Sequence, residues 1–186
     1  MPLKYLHLEL LTKASPEYAE HCDKFESFQL IDLFKIHYSN TETRQSGGQG
    51  AWSEPIYFHG TWSCGCIGTS RAQDGTSASV LIPTNDWCKT EHCATRGILR
   101  EGHRLEHVVC DIQGHFFSNY IHVAIEYAWN KHAFMGLGCE PSQQLYPLFL
   151  CKARNVQHRP SNPSYEYVNS DEDIIPCYLA IVRHWV

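Results

Sequence analysis

Two side chains of this sequence have the chemical types that reactions often require, and both belong to predicted strands. His59 follows Phe58 at the end of a strand that Gly60 terminates, and Glu166 lies in a short segment rich in tyrosine. An imidazole can hydrogen-bond hydroxyl groups, and a carboxylate can stabilise a developing positive charge. Taken singly, the histidine is more typical of a strand end whose ring is satisfied, and the glutamate of an exposed strand where it pairs with Lys or Arg.

One stretch of the chain carries residues that could bind a metal ion. Its candidate ligands are Cys64, Cys66, Cys88, His92 and Cys93. Structural zinc requires four thiolate or imidazole ligands in a tetrahedron, usually with a C-x₂₋₄-C pair. The first pair here has the spacing C-x-C, and His92 is adjacent to Cys93. We therefore expect free thiols, with a structural zinc as the alternative, and the absence of an H-E-x-x-H pair predicts no catalytic metal.

The composition is typical of one globular domain. The chain has 186 residues, of which 43% are hydrophobic and 19% are charged, so it can bury a core without disulfides. The net charge of −5 disfavours non-specific binding to nucleic acid. The nine cysteines are an odd number and cannot all pair. Because no leader or membrane-spanning stretch is evident, we expect an intracellular protein, nuclear or cytoplasmic, that has no contact with a membrane.

Periodicity and turn residues predict the α+β class. Helices are expected from residue 15 to about 28, at 94–101 and at 119–129. Strands are expected at 5–12, 29–38, 55–61, 114–118, 144–154, 164–170 and 176–185. Strands outnumber helices and rarely alternate with them, which favours α+β over α/β. Residues 62–90, rich in Gly, Ser and Thr, are predicted to be an insertion.

Short motifs then occur along the chain in a recognisable order. They are Ser15-Pro16-Glu17-Tyr18, Ile31 to Ile36, Phe58-His59-Gly60-Thr61, Gly97-Ile98-Leu99 with Gly102 and Arg104, Gly114-His115-Phe116-Phe117-Ser118 leading through Ala124 to Tyr127, and Tyr165-Glu166-Tyr167-Val168. This succession resembles the catalytic ADP-ribosyltransferase domain of the poly(ADP-ribose) polymerase family. The resemblance covers nearly the whole chain except 62–90. It implies one domain, 1–186, with split antiparallel sheets and short flanking helices.

The resemblance implies three catalytic residues, with NAD as co-substrate. His59 would hold ribose hydroxyls, and Glu166 would bind the reacting ribose and polarise the acceptor. Phe116 stands where the family has its first ring-stacking tyrosine. A carboxylate suits the role of Glu166 because cleavage of the nicotinamide–ribose bond develops positive charge on the ribose.

The resemblance also implies a set of residues that bind NAD. The Gly60 backbone would pair with the nicotinamide carboxamide, and Tyr127 would stack on the nicotinamide ring. Thr61 and Arg104 would lie toward the adenosine half. The full set is His59, Gly60, Thr61, Arg104, Gly114, Phe116, Ala124 and Tyr127.

The function implied is NAD-dependent ADP-ribosyl transfer with release of nicotinamide. The short segments 106–113 and 154–164 favour transfer of a single ADP-ribose, and we expect a protein acceptor rather than a nucleic acid. Ala124 stands where the family has a serine, and Phe116 lacks a hydroxyl. These departures support the alternative of a weak or inactive module that binds NAD or ADP-ribose. An RNA 2′-phosphotransferase would require more basic residues than the few near Arg100.

Overall fold

The structure is a computed structural model. It describes residues 5–25, 28–39, 51–54, 56–61, 68–69, 80–81, 93–103, 114–134, 145–159, 162 and 164–184. Most of the predicted insertion, four of its five candidate zinc ligands and Arg104 lie outside these residues. Cys93, the fifth candidate ligand, is buried.

Five antiparallel strands form the large sheet. In spatial order they are β1 (Tyr5–Leu10), β2 (Phe28–Tyr38), β10 (Ile174–His184), β7 (Tyr146–Ala153) and β3 (Tyr57–Gly60). The sequence of β2 is apolar on both faces, which predicts an interior strand, and the structure confirms this because β2 lies between β1 and β10. β1 is an edge strand, and its Leu6 and Leu10 side chains are exposed.

A smaller antiparallel sheet stands beside the large one. Its strands, in spatial order, are β6 (His115–Phe117), β9 (Glu166–Val168) and β8 (Gln157–His158). The two residues of β8 were not predicted from the sequence, because so short a strand leaves no periodic pattern. Within the predicted insertion, β4 (Gly68–Thr69) pairs with β5 (Val80–Leu81).

The helices are few and short, and local residues set their ends. They are α1 (Pro16–Cys22), α2 (Ala94–Glu101) and α3 (Ile121–Phe134). The Ser15 hydroxyl accepts a hydrogen bond from the Tyr18 amide at 3.1 Å and so caps α1. After α2, Gly102 adopts φ 75° and its N–H donates to the Ile98 carbonyl, which is the predicted role of a glycine at this position.

Several helices and strands begin or end at residues other than those predicted from the sequence. α1 does not continue to Phe28, because a 3₁₀ turn follows it and Phe28 already pairs with His184 in the large sheet. α3 starts later than predicted and runs further, and Tyr120, expected on its apolar stripe, precedes it and is half exposed. β10 begins before Pro176, which lies at an irregularity of the ladder that tolerates a proline.

The two faces of the large sheet bury separate cores. On one face, Phe58, Leu148 and Leu150 pack with α1 and with Ile121 and Ala124 of α3. On the other face, residues that include Phe149, Leu179 and Phe34 pack against Leu99 of α2 and against Phe117 and Val168 of the small sheet. The fold is therefore a layered α+β structure with antiparallel sheets and few short helices. None of its described helices is long and apolar enough to cross a membrane.

Ser118 joins the two sheets and the start of α3. Its N–H donates to the Phe58 carbonyl at 3.0 Å, and the Phe58 N–H donates back to the Ser118 carbonyl at 2.7 Å. The Ser118 hydroxyl donates to the Ser164 carbonyl and accepts from the Tyr120 amide ahead of α3. This buried serine thus fixes where β3, β6 and α3 meet.

Two glycines differ in the space around them, which gives a test of this packing. A methyl on Gly60 would overlap the Ala124 carbonyl group of α3, whereas a methyl on Gly97 of α2 meets nothing within 4 Å. We expect Gly60→Ala to lower the free energy of unfolding by about 3 kcal/mol because the backbone of α3 must move. The matched Gly97→Ala should raise it by up to about 1 kcal/mol.

Chemical denaturation of both variants measures these changes. Equal effects of the two substitutions would contradict the close approach of α3 to β3.

Candidate functional site

The ladder between the two sheets stops after one pair of residues. Phe58 and Ser118 exchange both backbone hydrogen bonds, so continued antiparallel pairing would next join Gly60 to Phe116. Instead, the His59 ring takes the Phe116 carbonyl, with Nδ1 at 2.7 Å from the oxygen. The pairing between the two sheets is therefore left open at Gly60.

The peptide groups of Gly60 point into this opening. Residues of a strand direct their N–H and C=O groups alternately to its two edges. Because Phe58 uses the outer edge of β3 to bond Ser118, Gly60, two residues later, also directs its N–H and C=O away from the neighbouring β7 strand. The edge of β3 thus presents one donor and one acceptor side by side.

Helix α3 forms one wall of the opening. The Ala124 carbonyl lies against the α-carbon of Gly60, closely enough that no side chain fits between them. Tyr127 follows Ala124 by about one helical turn and is half-buried. Of the predicted site residues, Gly60 contacts Ala124 directly, His59 precedes Gly60 on β3, and Tyr127 lies about one turn further along α3.

The His59 ring is held in a single tautomer. A carbonyl oxygen can only accept, so the proton between His59 and Phe116 must be on Nδ1. Burial lowers the pKa of His59 to about 4, the Phe116 carbonyl opposes this shift and His115 adds to it. At neutral pH the imidazole is therefore uncharged, and its Nε2 can accept a hydrogen bond but not donate one.

Glu166 is a buried residue with a carboxylate side chain, and it is the first residue of β9 in the small sheet. It pairs in register with Phe117 of β6, and its side chain is 8% exposed. Among the described residues, Oε2 has no hydrogen-bond partner, and Oε1 lies 3.4 Å from Nδ1 of the exposed His158. Burial raises the pKa of Glu166, and His158 opposes that shift.

Tyr57 connects Glu166 to the strand that carries His59. Its ring is 4.7 Å from that of Phe117, and burial and then the Glu166 charge raise the pKa of Tyr57. Since Tyr57 and His59 are two residues apart on β3, both side chains lie on the face of the large sheet that meets Glu166.

The remaining predicted site residues do not all lie near Gly60. The Phe116 ring pairs with Tyr167 at 5.6 Å, on the face of the small sheet opposite to Glu166, and the Arg159 guanidinium lies over it. Thr61 and Gly114 are buried, and a methyl on Gly114 would press against the Tyr167 ring. Arg104 lies outside the described residues.

Two buried histidines beside His59 were not predicted as site residues. The His103 ring is 4.5 Å from the His59 ring and 5.3 Å from that of His115. His115 Nε2 lies 2.8 Å from the Asp171 carboxylate. These residues are far apart in sequence, so no spacing rule connects them, although a histidine directly after the helix-ending Gly102 is a weak signal of an inward turn.

The described part of the chain contains no group of three or more His, Cys, Asp or Glu residues placed to hold a metal ion. The three histidine rings meet edge to face. Among the described cysteines, Cys151 and Cys93 are buried.

Comparison with protein-family models and with curated proteins identifies no relative of this chain. A proposal about function therefore depends on the geometry. The open peptide edge of Gly60, the neutral imidazole of His59 and the buried carboxylate of Glu166 are the features that a functional proposal must explain.

The neutral state of His59 predicts how stability depends on pH. Because the folded pKa of about 4 lies below the reference value of 6.5, the unfolded chain binds more protons between these values and stability falls as the pH drops through that window. We expect the contribution of His59 to fall by about 2 kcal/mol between pH 6.5 and pH 5.

Denaturation of wild type and His59→Asn at pH 7 and pH 5 measures this contribution. Asparagine can still donate to the Phe116 carbonyl but does not titrate, so the variant should lose less stability on acidification. The exposed His122→Gln serves as the control and should behave as wild type. An acid response of His59→Asn equal to that of wild type would contradict the assigned state of the ring.

Proposed function

We propose that this chain is an NAD-dependent ADP-ribosyltransferase with the split-sheet fold of that class. It would transfer a single ADP-ribose to an acceptor, a protein rather than a nucleic acid, and release nicotinamide. The observation that carries the proposal is the opening at Gly60, where a donor and an acceptor of the backbone face a site walled by α3 and by His59.

The Gly60 edge suits a primary carboxamide. Such a group has one N–H and one C=O that can form two parallel hydrogen bonds with a strand edge. The missing side chain at Gly60 brings α3 close, which supports Tyr127 as a residue that stacks on a flat ring held there. The nicotinamide half of NAD has both features, an aromatic ring and a carboxamide.

His59 suits a ribose hydroxyl. Its neutral ring offers Nε2 as an acceptor, and a hydroxyl can donate to it. An ionised phosphate has no proton to donate to this acceptor nitrogen, so we assign His59 to the ribose and not to the diphosphate. Thr61 and Arg104, which follow it in the motif order, remain candidates for the adenosine half.

Glu166 suits the reacting carbon of the ribose. Cleavage moves the bonding pair of the nicotinamide–ribose C–N bond onto nicotinamide and leaves positive charge on the ribose. A buried carboxylate with an unpaired oxygen gains most from such a charge, because burial deprives it of water. The acceptor nucleophile then bonds to the same carbon, and its proton passes to Glu166 or to solvent.

A second candidate function is a module that binds NAD or ADP-ribose without transfer. Ala124 favours it, since its side chain packs in the apolar core beside Ile121 and Ile125 and offers no hydroxyl to a ligand. One missing hydrogen bond costs about 1 kcal/mol, which corresponds to about five-fold weaker binding. Weak binding with no transfer is therefore the expected behaviour of this alternative.

Incubation with labelled NAD tests the proposed transfer. We expect the wild-type chain to release nicotinamide and to become labelled or to label added proteins, and Glu166→Gln to lower the rate at least 100-fold, roughly the contribution of one well-placed electrostatic group. Glu126→Gln, an exposed change on α3, is the matched control and should retain full activity.

The stability of Glu166→Gln separates loss of chemistry from loss of fold. Because burial raises the pKa of Glu166, the ionised group opposes folding at neutral pH, and we expect the variant to be at least as stable as wild type at pH 7. Transfer that persists in a folded Glu166→Gln would exclude the proposed role. Calorimetry that detects NAD binding without transfer would support the binding module.

A further inference from the structure

Three imidazole rings and one carboxylate form a continuous row beside the candidate site, which we call the histidine row: His59, His103, His115 and Asp171. His103 meets both neighbouring rings nearly edge to face, at 88° to His59 and 72° to His115. His103 and His115 are each only 3% exposed. Asp171, at the far end, is partly exposed.

Simple packing does not account for polar rings at these positions. His103 also lies against Phe149, at 6.3 Å between ring centroids, in the apolar core between the two sheets. Burying a polar ring costs free energy unless its nitrogens are satisfied, whereas a phenylalanine or leucine would fill the same space without that cost. The Asp171 carboxylate satisfies His115 Nε2, and His103 connects this pair to His59 through ring contacts.

We propose that His103 and His115 are positioning residues that keep the His59 ring neutral, with its proton on Nδ1 and its Nε2 directed to the ligand. Burial and the Phe116 carbonyl set the state of the His59 ring, and the row adds to their effect. The consequence of this state for NAD rests on the proposed function.

Charge acts along the row from Asp171 inward. The Asp171 carboxylate accepts a hydrogen bond from His115 Nε2 at 2.8 Å and stabilises positive charge on that ring. Positive charge on His115 opposes a second proton nearby, and His115 contributes in this way to the lowered pKa of His59. Burial is the largest cause of the lowered pKa of His59, and His115 adds to it.

Contact acts along the row as well. His103 presses edge to face on His59 while the Phe116 carbonyl holds Nδ1 from β6. A ring flip of His59 would lose the hydrogen bond to the Phe116 carbonyl, and His103 restricts the plane in which the ring can lie. Among the described residues, Tyr57 of β3 and Glu166 of β9 are further polar groups on this side, and the residue of β7 paired with His59 is the apolar Phe149.

Histidine-labelled protein allows the proposal to be tested by NMR without a ligand. In wild type and in the exposed control His122→Gln, we expect one Nδ1-H tautomer of His59 and no protonation until about pH 4. In His115→Gln, which keeps a donor for Asp171 but no titratable charge, His59 should protonate at higher pH. His103→Leu should give mixed tautomers, and His103→Phe, which restores a ring edge, should give one.

Binding of NAD provides a second reading. We expect His115→Gln to bind NAD about four-fold more weakly at pH 5 than at pH 7.5, and wild type to change by less than about two-fold. An unchanged pKa and tautomer of His59 in folded His115→Gln and His103→Leu would overturn the inference, and His115→Gln alone decides if His103→Leu does not fold. A chain that fails to bind NAD but shows these NMR changes refutes only the proposed function.

Discussion

The hydrogen bond from the His59 ring to the Phe116 carbonyl sets the shape of the region in which function is proposed. It occupies the acceptor that the next backbone pair between the sheets would use. The Phe58–Ser118 bridge joins the sheets on one side of this point, and the unpaired edge of Gly60 lies on the other. Gly60, its contact with α3 and the His59 end of the histidine row all lie next to the point where the ladder ends.

The two faces of the large sheet carry different demands. The face toward α1 and α3 is packed with residues such as Leu148, Leu150 and Ala180, all fully buried, and it supplies stability through burial of apolar surface. The face toward the small sheet also buries His103, His115 and Glu166. Buried polar groups cost stability. The apolar core under α1 and α3 therefore offsets the cost of burying these polar groups on the other face.

Much of this fold could be predicted from local chemistry. The cap at Ser15, the helix end at Gly102 and the interior strand β2 each leave a pattern within a few residues. The histidine row could not be predicted, because its members meet only through tertiary packing and share no spacing. The orientation of the Phe116 ring could not be predicted either. In a strand of only three residues, a shift of one position moves the ring to the other face of the sheet.

The split between the sheets reflects a competition between a side chain and the backbone. Without an imidazole at position 59, the Gly60 amide could take the Phe116 carbonyl, and β3 and β6 could close into one continuous sheet with a better-paired backbone. The backbone pairing between β3 and β6 is thus incomplete at Gly60. His59, which is proposed to bind the ligand, thus also occupies the carbonyl that would extend the pairing between β3 and β6.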